Sequence, residues 1–166
     1  VLKTGGIVIF PTDTAYGIGC RIDNGESIKR LFKIRNRPEN KPLLALVDSI
    51  KMAQDYLLPI QNKVTGKLIK KYWPGPLTII LRCKTDKVLS SVRAGKDNLG
   101  IRLPDNSNLL SLIKEVGVPI VAPSANFAGL KTPVKFEDLD PSLIALADYV
   151  LEGNIDSEKE ASTVID

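Results

Sequence analysis

Two kinds of apolar pattern alternate along this chain. Short unbroken runs at residues 6–10 (GIVIF), 16–20 (YGIGC), 43–47 (LLALV), 77–81 (LTIIL), 99–103 (LGIRL) and 119–122 (PIVA) have the length and composition of buried strands. Residues 149–152 and 162–165 read as two further strands. Between these runs apolar residues recur at helical spacing. Asp23, Asn24 and Ser27 offer N-caps for a helix whose Ile28, Leu31 and Phe32 share one face. Residues 50–57 and 60–73 read as helices, the second stopped by Pro74-Gly75-Pro76. Residues 109–116 form a helix stopped by Gly117, and 143–147 read as one more. Strand and helix patterns intermingle from end to end, which predicts a mixed α/β or α+β sheet under helical cover. No internal repeat, low-complexity stretch or linker interrupts it, so the expectation is a single domain over 1–166.

Composition narrows the chemistry. Apolar residues make up 43% of the 166 and charged ones 25%, an ordinary globular balance. No apolar run approaches the roughly 18 residues of a membrane span, so no membrane partner is expected. Val1-Leu2-Lys3-Thr4 leads into a core-strand pattern, so no signal segment is expected. Cys20 and Cys83 match neither a metal spacing nor a disulfide framework. A reducing, cytoplasmic location is the reading. The chain contains no histidine. That excludes a Ser-His-Asp triad, a Cys-His pair, an HExxH zinc site and any imidazole base. An enzyme built from this sequence works with carboxylates, cations, hydroxyls and backbone donors. Its 23 basic and 19 acidic residues leave a net charge of +4, which favours an anionic partner.

The densest cationic stretch is Lys29, Arg30, Lys33, Arg35, Arg37 and Lys41, opposed only by Glu39. A solvated helix face explains the first three. Arg35 falls seven residues after Ile28 and so extends the apolar stripe, while Arg37 and Lys41 lie beyond the helix, just before a buried strand. Pro11-Thr12-Asp13-Thr14 and Pro123-Ser124-Ala125-Asn126 each follow a strand directly, where open sheets hold ligands. Each is also an ordinary capping or turn sequence. Arg102 sits inside an apolar strand and needs a partner, either a structural carboxylate or the carboxylate of a substrate. Trp73-Pro74-Gly75-Pro76 reads as a rigid turn without chemistry. No P-loop or complete GxGxxG is present, and 5% aromatic content disfavours a base-stacking RNA surface. Physical reading alone reaches an α/β protein with a basic, hydroxyl-rich site.

Six blocks carry a resemblance. They are residues 5–20 (GGIVIFPTDTAYGIGC); Ile34-Arg35-Asn36-Arg37-Pro38 with Lys41-Pro42-Leu43; Trp73 to Thr78; Gly100 to Pro104; Pro123 to Asn126 with Gly129 and Thr132-Pro133; and Ser162-Thr163-Val164-Ile165-Asp166. In this order, over nearly the whole chain, they are similar to the YrdC/Sua5 family of threonylcarbamoyl-AMP synthases. The resemblance implies a YrdC/RibB-like α/β fold, a twisted open mixed sheet with helices on its faces enclosing a basic cavity. It implies that L-threonine, bicarbonate and ATP give threonylcarbamoyl-AMP and pyrophosphate, with Mg²⁺ on the ATP. A partner transferase then passes the threonylcarbamoyl group to adenosine 37 of tRNA. By the same resemblance, Thr14, Arg102, Ala122 and Ser162 contact threonine. Arg35, Arg37, Lys41, Asn98, Ser124, Asn126 and Thr132 contact nucleotide, and no residue forms a covalent intermediate.

The sequence departs from the family pattern in three places. Arg35-x-Arg37 stands where the family has Lys-x-Arg, and Leu46 where many members carry a histidine near threonine. Members also have a helix before the first strand and an arginine beyond the Ser-Thr-Val-Ile-Asp block. Three other readings stay open: a structured-RNA or tRNA-binding module, a catalytically impaired homologue, and a carbamoyltransferase on the same fold.

Overall fold

The computed structural model describes residues 1–155 and 162–166. Among these residues eight strands form one mixed sheet: β1 (Val8–Pro11), β2 (Tyr16–Arg21), β3 (Leu44–Leu46), β4 (Leu77–Arg82), β5 (Asn98–Arg102), β6 (Ile120–Val121), β7 (Tyr149–Val150) and β8 (Thr163–Ile165). Their order is β7-β1-β2-β6-β3-β5-β4-β8. The pairs β1/β7, β3/β5 and β4/β8 are parallel and the others antiparallel.

Among the described residues six α-helices interleave with the strands: α1 (Gly25–Ile34), α2 (Ile50–Tyr56), α3 (Lys63–Tyr72), α4 (Ser90–Arg93), α5 (Ser107–Val116) and α6 (Pro141–Leu146). Local chemistry sets their ends. Side chains of Asn24, Ser49, Asn62, Asn106 and Asp140 each accept a backbone N–H of the first turn. Gly117 ends α5 in the left-handed region, at φ 81°. The helix read over 60–73 begins only at Lys63, because Asn62 takes the capping position with Val64 N–H 2.8 Å from its Oδ1. The four-residue α4 has too few turns to show periodicity, and the sequence pattern misses it.

Strand alternation separates the two faces of the sheet. Ala45, Ile79, Leu99, Ile101 and Val121 turn towards a large apolar cluster shared with Ile28, Leu31 and Phe32 of α1, Ala53 of α2, Ile69 of α3 and Leu143 of α6. On the opposite face, Leu46, Ile120 and Ala122 pack with Leu109, Ile113 and Val116 of α5. That helix covers only part of its face. Leu44, Thr78, Ile80, Asn98, Gly100 and Arg102 occupy the uncovered part, and there the site is built.

Candidate functional site

Two adjoining cavities open on this face, of about 230 and 210 Å³. Leu44 lines both, and the neighbours Pro123 and Ser124 line one each. The second cavity is bounded by Thr12, Thr14 and Tyr16 from the β1–β2 turn, Leu46 and Arg102 from strand ends, Ala122 and Ser124 after β6, and Thr132 and Ser162. The first is bounded by Arg37, Thr78, Arg93, Lys96, Asn98 and Gly100, with apolar walls from Leu43, Ile80, Pro123 and Val164.

Arg102 organises the second cavity. Its guanidinium donates from Nε to the Gly75 carbonyl at 3.0 Å, from Nη1 to Thr14 Oγ1 at 3.0 Å and from Nη2 to Asp13 Oδ1 at 2.5 Å. The ion pair is almost fully buried, with 5% and 1% of the two side chains exposed. The structural partner considered for Arg102 therefore exists, and it is Asp13. Arginine carries five N–H donors, so two remain for a ligand. Thr14 is fixed in turn. Thr12 Oγ1 accepts the N–H groups of Thr14 and Ala15, folding the turn that presents both threonine hydroxyls.

Arg35 stands behind Ser124. It donates from Nε to the Asn126 carbonyl at 3.0 Å, and from Nη2 to Asn126 Oδ1 at 3.2 Å and Ser124 Oγ at 3.4 Å. Ser124 Oγ donates to Asn126 Oδ1, whose Nδ2 holds the Leu130 carbonyl. This network ties the end of α1 to the loop after β6. Arg35 is 3% exposed, as its place on the apolar stripe requires. Among the described residues all its partners are neutral. Burial, and then the charge of Arg37, push its pKa down to about 10. Arg37 is lowered as well by burial, and donates to the Pro42 carbonyl at 2.9 Å. Among the described residues neither cation has an ion-pair partner, although Asp166 lines the first cavity together with Arg37.

Thr14, Arg102, Ala122, Ser124, Thr132 and Ser162 thus meet around one cavity, and Arg37 and Asn98 around the next. Arg35 and Asn126 lie behind the wall. Lys41 is exposed and lines neither cavity. Lys29 and Arg30 are held by Glu26 and Asp148 on the surface. Sequence reading missed several participants. The turn considered free of chemistry supplies the Gly75 carbonyl that orients Arg102. Gly75 itself sits at φ 157°, where an added Cβ would lie 2.6 Å from the Tyr72 carbonyl oxygen. Thr78, Arg93, Lys96 and Gly100 also went unassigned. A hydroxyl inside LTIIL and a glycine inside LGIRL were the signals available.

Fold and site together define a class: an α/β protein whose sheet face carries a basic, hydroxyl-lined pair of cavities. A model of the Sua5, YciO and YrdC family, described as "Telomere recombination", matches residues 1–166. The chain belongs to that family. It is 38% identical over 152 residues to the threonylcarbamoyl-AMP synthase of Bacillus subtilis, covering 89% of this chain and 44% of that protein. The crystal structure of Pyrococcus abyssi Sua5 complexed with L-threonine superposes with a TM-score of 0.90 at 30% identity, covering 99% of this chain and 48% of that one. Escherichia coli YciO superposes at 0.85 with 25% identity, over 99% of this chain and 79% of the other. The chain spans about half the length of the Bacillus and Pyrococcus proteins.

Proposed function

We propose that this chain is a nucleotidyltransferase that makes L-threonylcarbamoyl-AMP from L-threonine, bicarbonate and ATP, releasing pyrophosphate. The observation that carries the reading is the meeting of Thr14 and Arg102 in one cavity, beside a second that is rimmed by Arg37, Arg93 and Lys96. The threonine carboxylate takes the two free N–H donors of Arg102. Thr14, Ala122 and Ser162 surround the rest of the amino acid. The nucleotide lies towards Arg37, Asn98, Ser124 and Thr132, with Arg35 and Asn126 supporting Ser124 from behind.

The chemistry needs no covalent enzyme intermediate and no histidine. The threonine amine adds to the carbon of bicarbonate, and water leaves to give the carbamate. A carbamate oxygen then attacks the α-phosphorus, and the bond to the β-phosphate oxygen breaks to release pyrophosphate. What the protein supplies is alignment and positive charge where the leaving pyrophosphate gathers negative charge. Among the described residues no group of three or more His, Cys, Asp or Glu side chains could hold a metal ion. In this reading Mg²⁺ enters as MgATP, held by the triphosphate. The product feeds a partner transferase acting on adenosine 37 of cytoplasmic tRNA.

The test is pyrophosphate release from MgATP by the intact chain. Release is expected only when threonine and bicarbonate are both present. Release that is indifferent to threonine would overturn the reading.

A further inference from the structure

Among the described residues, four buried side-chain polar atoms have no hydrogen-bond partner: Asp13 Oδ2, Arg35 Nη1, Arg37 Nε and Thr78 Oγ1. The first three belong to charged groups whose other atoms are bonded. Thr78 differs from them. It is neutral, 1% exposed, and stands in the run LTIIL on β4, where valine would fill the same shape. A buried hydroxyl left unpaired is costly, and native proteins seldom keep one. Thr78 lines the first cavity.

The floor beside it is flat. Ile80 pairs with Gly100 across β4 and β5, and Leu44 pairs with Gly100 across β3 and β5. A Cβ placed on Gly100 would stand 3.6 Å from Thr78 Cγ2 and 3.7 Å from Leu44 Cβ. A strip of bare backbone therefore runs between two side chains, walled by Leu43, Ile80 and Val164, with three cations, Arg37, Arg93 and Lys96, and one acid, Asp166, also lining the cavity. Phosphates suit the cations. A planar, largely apolar group with polar edges suits the floor and its single hydroxyl. We propose that Thr78 is a further binding residue of this site, and that its Oγ1 hydrogen-bonds the nucleoside part of the nucleotide as that part lies over Gly100. The proposal rests on the nucleotide reading given above and adds the residue that recognises the nucleoside end.

Thr78→Val and Thr78→Ser, titrated calorimetrically with ATP and with inorganic tripolyphosphate, test it. Thr78→Val is expected to weaken ATP about tenfold, the effect of one lost hydrogen bond. Its affinity for tripolyphosphate should be unchanged, and its melting temperature without ligand should rise, because an unpaired hydroxyl has been removed. Thr78→Ser should retain ATP affinity. Unchanged ATP affinity in Thr78→Val, or a fall in its melting temperature, would overturn the proposal. Equal weakening of tripolyphosphate would assign Thr78 to phosphate and overturn the nucleoside contact. A parent chain that binds no ATP would instead refute the nucleotide reading itself, and a parent that binds ATP keeps the two failures apart.

Discussion

Arg102 shows how a residue can be structural and functional at once. Truncating it to alanine would strand the Asp13 carboxylate in the interior, which costs about 3–5 kcal/mol. Arg102→Ala is therefore expected to lower the denaturant midpoint sharply. The double variant Asp13→Asn with Arg102→Gln removes both charges; it should recover much of that stability, bind ATP, and show no heat of threonine binding. Threonine binding that survives in the double variant would remove Arg102 from the amino-acid site. A second residue-level expectation concerns Cys20, fully buried, whose thiol is pushed up from 9.0 to about 12 by burial and then by Asp23. Folded chains hold that proton where unfolded chains release it. Its contribution to stability is complete below pH 9.0 and is lost as pH rises towards 12. Melting temperatures should fall over this alkaline range, and less steeply in Cys20→Ala; parallel curves would contradict it.

Alternation along a strand decides which side chains reach the ligand. Gly100 lies between Leu44 and Thr78, and a side chain there would meet ordinary contacts at 3.6–3.9 Å rather than clashes. Gly100→Val should therefore leave the sheet intact by circular dichroism, since a β-branched residue suits a strand. It should also fill the floor of the first cavity and abolish measurable ATP binding. Tight ATP binding by this variant would show that the nucleotide lies elsewhere. On the helices, Asn24→Ala removes the cap of α1, whose Ser27 N–H it accepts at 3.0 Å. A loss of about 1 kcal/mol is expected in urea unfolding. The cap was legible because Asn24 precedes an apolar stripe. The late start of α3 was not, because Ile60 continues the stripe until Asn62 diverts the backbone.

At the scale of the molecule, the sheet brings together residues that the chain keeps far apart: Thr14 from the first hairpin, Arg102 from β5, Ser124 after β6, and Ser162 just before the edge strand β8. The last two strands, neighbours in sequence, sit on opposite edges of the sheet. Because both cavities share Leu44, their ligands should stabilise the same unit. ATP at about 100 times its dissociation constant should add about 2.7 kcal/mol to the unfolding free energy. Threonine added with it should raise the melting temperature beyond either ligand alone. A thermal-shift series in which threonine adds nothing to ATP would separate the two cavities functionally.

Periodicity, caps and breakers are local properties, and they were enough to place the eight strands of the described residues within about two residues, locate most helices and mark Arg35 as buried. The order of blocks along the chain was enough to indicate the family. Strand order and the pairing of buried charges depend on contacts between distant segments, which no local pattern encodes. Asp13 as the partner of Arg102, the Gly75 carbonyl that steers it and the unpaired hydroxyl of Thr78 over a bare strip of β5 became visible only once the sheet had brought those segments within hydrogen-bonding reach.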